Sequence, residues 1–106
     1  MTLQSALAYD VLGEESLPVS TSAVGFASTI GGNFVYAQCE IITGGPMYAN
    51  DNSAPVVGGG AGDELFALNQ KFRVTGQKSM NNVQFILKTS GTAVTLSIRF
   101  YGTSGA

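Results

Sequence analysis

The chain has 106 residues, of which 44% are hydrophobic and only 12 are charged, 5 basic and 7 acidic, for a net charge of −2. A chain this long forms one small domain that buries roughly 65% of its surface, and a charged fraction of 11% against the roughly 25% of an ordinary domain implies that another molecule covers part of that surface. Without any His, and with Cys39 as the single cysteine, the chain lacks Ser-His-Asp and Cys-His catalysis, a zinc cluster and an internal disulfide; it also shows no apolar run of about 18 residues for a membrane, no secretory leader, and no basic patch for nucleic acid.

In chain order, Leu3, Leu7 and Val11 recur near helical spacing, which fits one helical turn or, equally, an extended arm. Residues 19–26 read as a first strand, with Pro18 at its start, where proline is tolerated. In residues 34–41, Val35, Ala37, Cys39 and Ile41 alternate with Tyr36, Gln38 and Glu40, so the first set faces a core. Cys39 is then a small buried apolar residue, since no cation neighbours it in sequence to favour a thiolate. Residues 47–49 form a short strand after the Gly44-Gly45-Pro46 break, and 64–68 and 71–74 bracket Asn69-Gln70 as a further pair. Residues 82–88 turn Val83, Phe85 and Leu87 one way and Gln84, Ile86 and Lys88 the other. Residues 93–101 bury Val94, Leu96, Ile98 and Phe100 and expose Thr95, Ser97, Arg99 and Tyr101. The loop Thr89-Ser90-Gly91-Thr92 predicts that these last two strands pair as a hairpin. The result is an all-β chain: a single small β-sandwich of six to eight short strands, immunoglobulin-like or jelly-roll-like, over residues 31–106, preceded over 1–30 by an extended N-terminal arm that includes the first strand.

Few groups suggest chemistry. The cluster Gly58-Gly59-Gly60-Ala61-Gly62 lacks the Lys and hydroxyl of a phosphate loop and reads as a loop between strands. Asn50, Asp51, Asn52 and Ser53, with Asp63 and Glu64, offer the oxygen ligands that calcium takes. The same side chains close turns by bonding their own backbone, and the turn is the expectation. Glu14 and Glu15 read as a solvated loop. Tyr36, Tyr48 and Tyr101 fall on outward positions, where aromatics mark a protein interface or a sugar-binding face. Scarce charge and the absence of Trp favour the interface. Together with Leu3, Leu7, Tyr9, Val11 and Leu12 of the arm, they are the candidate partner-binding residues. No catalytic, cofactor or metal role is assigned to any residue, and no enzymatic activity is expected.

Over about two thirds of the chain the order and type of motifs resemble a family of small bacteriophage virion proteins of the capsid decoration, or cement, type. The resemblance is carried by Tyr36-Ala37-Gln38-Cys39, then Pro46-Met47-Tyr48, the Asp51 turn and Pro55, the loop Gly58 to Gly62 with Asp63, and closing strands Val83 to Lys88 and Ala93 to Tyr101. The resemblance implies a non-enzymatic β-sandwich, made in the host cytoplasm and stationed on the capsid surface of the virion. Its partner there would be the major capsid protein of the same virus, bound by a homo-oligomer, a trimer or a dimer, that stabilises the shell. A place at the head–tail junction, or in a tail or fibre as a module recognising protein or carbohydrate, is the alternative.

Overall fold

The strict alternation of the last strand sets the centre of the molecule. A computed structural model of the chain describes residues 9–88 and 93–103. The elements run β1 (Asp10–Val19), β2 (Phe34–Thr43), β3 (Met47–Asn50), β4 (Glu64–Phe66), β5 (Lys71–Thr75), α1 (Gln77–Asn82), β6 (Gln84–Leu87) and β7 (Val94–Gly102). Two antiparallel sheets result, one in the order β1-β7-β2-β5 and one in the order β4-β3-β6. β7 buries Val94, Leu96, Ile98 and Phe100 on one face and pairs with a ten-residue strand on each side. Because the side-chain period is 2, one register alone keeps that apolar set inward.

The core lies between the sheets and is threaded by aromatic rings. All six phenylalanines take part: Phe34 and Phe26 flank Phe100 at 5.5 and 5.1 Å, Phe26 reaches Phe85 at 5.6 Å, Phe85 reaches Phe72 at 6.2 Å, and Phe72 stacks on Phe66 at 4.1 Å. Ala37, Cys39 and Ile41 of β2 and Met47 of β3 are fully enclosed beside them. Burial pushes the Cys39 thiol up to about 12, with the nearby Glu15 charge adding to the effect. The folded protein is therefore expected to resist a thiol reagent at neutral pH and to react with one equivalent per chain in denaturant, as a colorimetric titration would show.

Several expectations from the sequence are corrected. The first strand is Asp10–Val19, not residues 19–26. It is the edge strand of the larger sheet and buries Leu17 and Val19, so residues 10–19 are part of the packed fold and not an extended arm. Alternation favours this placement, because Glu15, Leu17 and Val19 share the inner face while Glu14, Ser16 and Pro18 lie outside. Pro18 sits within the strand, where an edge tolerates its missing N–H. Glu14 and Glu15 are on this strand, not in a loop: Glu14 meets Arg99 at 3.4 Å, and the Glu15 carboxylate accepts the N–H groups of Ala27 and Ser28 at 2.9 and 3.0 Å.

The expected hairpin of residues 82–88 and 93–101 does not form. β6 and β7 belong to different sheets. A short loop requires only that two strands lie near each other, and the choice of partner goes to the longer ladders that β1 and β2 offer β7. Ile86, expected outside, is buried, since β6 is flanked by β3 on one side and by Val24 on the other. Similarly, β4 and β5 do not pair with each other. Helix α1 is an addition: six residues without a readable period, entered from Gly76 at φ 92° and anchored by buried Met80. The crossing from β2 to β3 depends on Gly44, whose φ is +79° and where a Cβ would run into the Ala93 carbonyl.

Candidate functional site

The face of the larger sheet that turns away from the core carries tyrosines, basic residues and other polar side chains. Period 2 puts Tyr36, Gln38 and Glu40 of β2 on this face, with Ser97, Arg99 and Tyr101 of β7, and Lys71 and Arg73 of β5. The pairing sets Tyr36 beside Tyr101, Gln38 between Arg99 and Arg73, and Glu40 between Ser97 and Lys71. Of five basic residues in the chain, Lys71, Arg73 and Arg99 are here; of four tyrosines, Tyr9, Tyr36 and Tyr101.

The rings form a layered stack. Tyr36 and Tyr101 lie 4.9 Å apart at 18°, Tyr9 packs edge-on against Tyr36 at 6.0 Å, and the Arg73 guanidinium covers the Tyr36 ring at 4.4 Å. Arg73 Nε also donates to Gln38 Oε1 at 3.0 Å. Tyr101, and after it Glu14, raises the basicity of Arg99. Beside the stack runs a groove of about 500 Å³ bounded by Gln38, Glu40, Lys71, Ser97, Arg99 and Tyr101. Exposed ion pairs and cation–π contacts of this kind are each worth only about 0–1 kcal/mol to a fold. Tyr and Arg are, by contrast, the residues that dominate binding energy at protein interfaces. The arrangement is suited to recognition.

Of the candidate partner-binding residues, Tyr9, Val11, Tyr36 and Tyr101 come together here, Val11 directly opposite Tyr101. Leu12 does not join them. A bulge between Val11 and Gly13 takes it out of the alternation, and it lies against Gly102 on the inner side. Tyr48 is on the smaller sheet, beside Leu65 and Ile86, and half-buried under Gly59, where a Cβ would sit 2.8 Å from the ring. Leu3 and Leu7 lie outside the described residues. Sequence reasoning missed Gln38, Lys71, Arg73 and Arg99 as members of the site. Their outward phase was readable, but their adjacency comes from the pairing of strands distant in the chain.

The loop that could have held calcium is bonded to itself. Buried Asn50 accepts the N–H groups of Asn52 and Ser53 through Oδ1, and its amide donates to Asp63 Oδ1 at 2.8 Å. Asp63 Oδ2 accepts from Val56 and Gly60 at 3.1 and 2.7 Å, while Asp51 accepts from Ser79 on α1. The side chains thus close the turn, as expected, and among the described residues no group of three or more His, Cys, Asp or Glu is placed to hold a metal. The Asn50 amide, helped by the two backbone donors and opposed by partial burial, holds the Asp63 carboxyl below its usual 3.8. A carboxyl depressed by folding stabilises the native state above its ordinary pKa, and that contribution is lost as pH falls through the folded value. Asp63→Asn is therefore expected to be less stable than the parent at neutral pH, with the gap narrowing below about pH 4. Denaturant midpoints across a pH series would measure it.

A second concavity, a cleft of about 300 Å³ between β4 and β5, has apolar walls in Phe66, Phe72, Val74 and Val83 and a rim with Asp51, Glu64 and Arg73. No family model, curated protein or solved structure matches the chain.

Proposed function

We propose that this chain is a structural, non-enzymatic component of a bacteriophage particle, a capsid decoration protein. It would be made in the host cytoplasm, bind the outside of the assembled shell through the major capsid protein, and stabilise that shell. The observation that carries this reading is the outer face of the larger sheet, where exposed Tyr9 and Arg73 and half-buried Tyr36 and Tyr101 form one stack. That composition is typical of interface hot spots and has little work to do in holding the fold. Low overall charge and the resemblance of residues 34–101 to small virion proteins point the same way. A ligand that binds only the assembled shell stabilises it by mass action, and many copies acting together need only modest affinity each.

The strand order supports a finer reading of the architecture as a jelly roll. After β1 the chain continues along the free side of β6, with Phe85 N–H donating to the Val24 carbonyl at 2.8 Å and Leu87 N–H to the Ser20 carbonyl at 2.9 Å. Counting residues 20–24 as the second of eight strands turns the two sheet orders into 1-8-3-6 and 2-7-4-5. That is the order of a double Greek key, an architecture found in viral capsid and lectin domains. The support is by analogy of fold, because fold alone does not set function.

Co-sedimentation of the purified protein with undecorated capsids tests the proposal. Binding together with a rise in the temperature at which the shell opens is expected; no binding and no rise would refute it. The groove beside Tyr101, with Gln38, Glu40 and Arg99 at hand, favours a second reading as a tail or fibre module that recognises protein or carbohydrate. A glycan array that binds where capsids do not would select it.

A further inference from the structure

The larger sheet ends in two strands of opposite character. Among the described residues β1 and β5 each have a single strand neighbour, so each turns backbone N–H and C=O groups outward, on β1 over the regular stretch between the bulge at Val11–Gly13 and Pro18. β1 carries Asp10, Glu14 and Glu15 and no basic residue, whereas β5 carries Lys71 and Arg73 and no acidic one. Glu15 is occupied by Ala27 and Ser28; Asp10 and Glu14 face outward, Glu14 in a solvent-exposed contact with Arg99 at 3.4 Å that a basic partner would share. An open edge is a template for another strand, and the charges along it govern which strand it accepts. We infer that the partner of each edge is the opposite edge of a second copy of this chain, β5 of one copy pairing with β1 of the next and extending the sheet head to tail.

Strand direction permits this junction. Neighbours alternate through the sheet, so β1 and β5 run in opposite directions and a β5–β1 junction between copies is antiparallel like every other pair. Charge then selects it over the alternatives. Two β1 edges meeting about a two-fold axis bring Glu14 close to its own copy, and two β5 edges do the same for Lys71 and Arg73; like charges facing each other across strands destabilise the pair. The mixed junction alone joins opposite signs. Side-chain phase agrees, since Glu14 and Arg73 both lie on the outer face, and setting them opposite each other brings Lys71 opposite Ser16. A contact of this heterologous kind closes into a ring or runs on as a filament.

The inference deepens the homo-oligomer that the resemblance to virion proteins implies, and names its surface. Its test uses the purified chain without capsids, so either idea can fail while the other stands. Sedimentation velocity over a concentration series is expected to show reversible association that weakens at high salt. Glu14→Lys and Arg73→Glu are each expected to lower the association constant about tenfold, with cooperative melting retained, and the double exchange to restore it. A chain carrying both Glu14→Cys and Arg73→Cys is expected to oxidise into a ladder of cross-linked species. Within one copy the two positions are separated by three strand spacings, ~14 Å, beyond the reach of a disulfide, and Cys39 is buried. Monomers at every concentration, association indifferent to both charge reversals, or a dimer cross-linked by Glu14→Cys alone would overturn the inference.

Discussion

Ile98→Asp is expected to leave the chain unfolded at 25 °C, with the β signal in circular dichroism and the cooperative melt both lost. Ile98 is 1% exposed, at the middle of β7, opposite Glu15 on one side and Cys39 on the other. The new carboxylate would enter the core with no basic residue on that face of the sheet and with the Glu15 charge nearby. Loss of the apolar side chain costs about 2–5 kcal/mol, and an unpaired buried charge adds several more. A domain of this size has about 5–15 kcal/mol to lose. Ser97→Lys, one residue earlier on the outer face beside Glu40, is the matched control and is expected to fold. An Ile98→Asp chain that still melts cooperatively near the parental temperature would mean that the face assigned inward is not the core.

The second large effect belongs to binding. Tyr36→Ala removes the ring that Tyr9, Tyr101 and Arg73 all touch. Under the decoration reading it is expected to weaken binding to undecorated capsids about 30-fold or more, the equivalent of a hot-spot loss of about 2 kcal/mol. Tyr36 lies on the outer face, so the fold should lose only about 1–2 kcal/mol, mostly aromatic packing. Tyr36→Phe should keep most of the binding, because the stack survives. Leu65→Ala, 48% exposed on the smaller sheet, should bind as the parent does. Equal losses from Tyr36→Ala and Leu65→Ala in a capsid titration would move the interface off the tyrosine face.

The difference between these two residues illustrates what could be read in advance. Ile98 was assignable to the core from local alternation, as were Phe100, Leu96 and Val94, and the same holds for Ala37, Cys39 and Ile41 of β2. Asn50 and Asp63 were recognisable as turn chemistry from residue type. Tyr36 and Tyr101 were assignable to an outer face, but not to each other. Their contact spans 65 positions (101 minus 36) and exists because β7 pairs with β2. The same non-local choice separated β6 from β7 where loop length had suggested a hairpin. It moved the first strand to Asp10–Val19, where pairing with β7 and the burial of Leu17 and Val19 outweigh any local signal. Helix α1 carried no signal because six residues are too few to show a period.

By itself the sequence determined the class of the fold, most of the strands and which side of the best of them is buried. Those properties follow from composition and from a side-chain period of 2, both of which are local. It also excluded His-dependent chemistry and an internal disulfide by the residues it lacks. The tertiary structure alone decided which strands are neighbours, and therefore that three tyrosines and three basic residues share one face, that an acidic and a basic strand stand at opposite edges of one sheet, and that Tyr48 and Leu12 are elsewhere. Strand partners are chosen by competition among ladders formed after chain closure over long distances. Each candidate ladder satisfies its own local pattern equally well, so the choice rests on the total apolar surface that the two sheets can bury together.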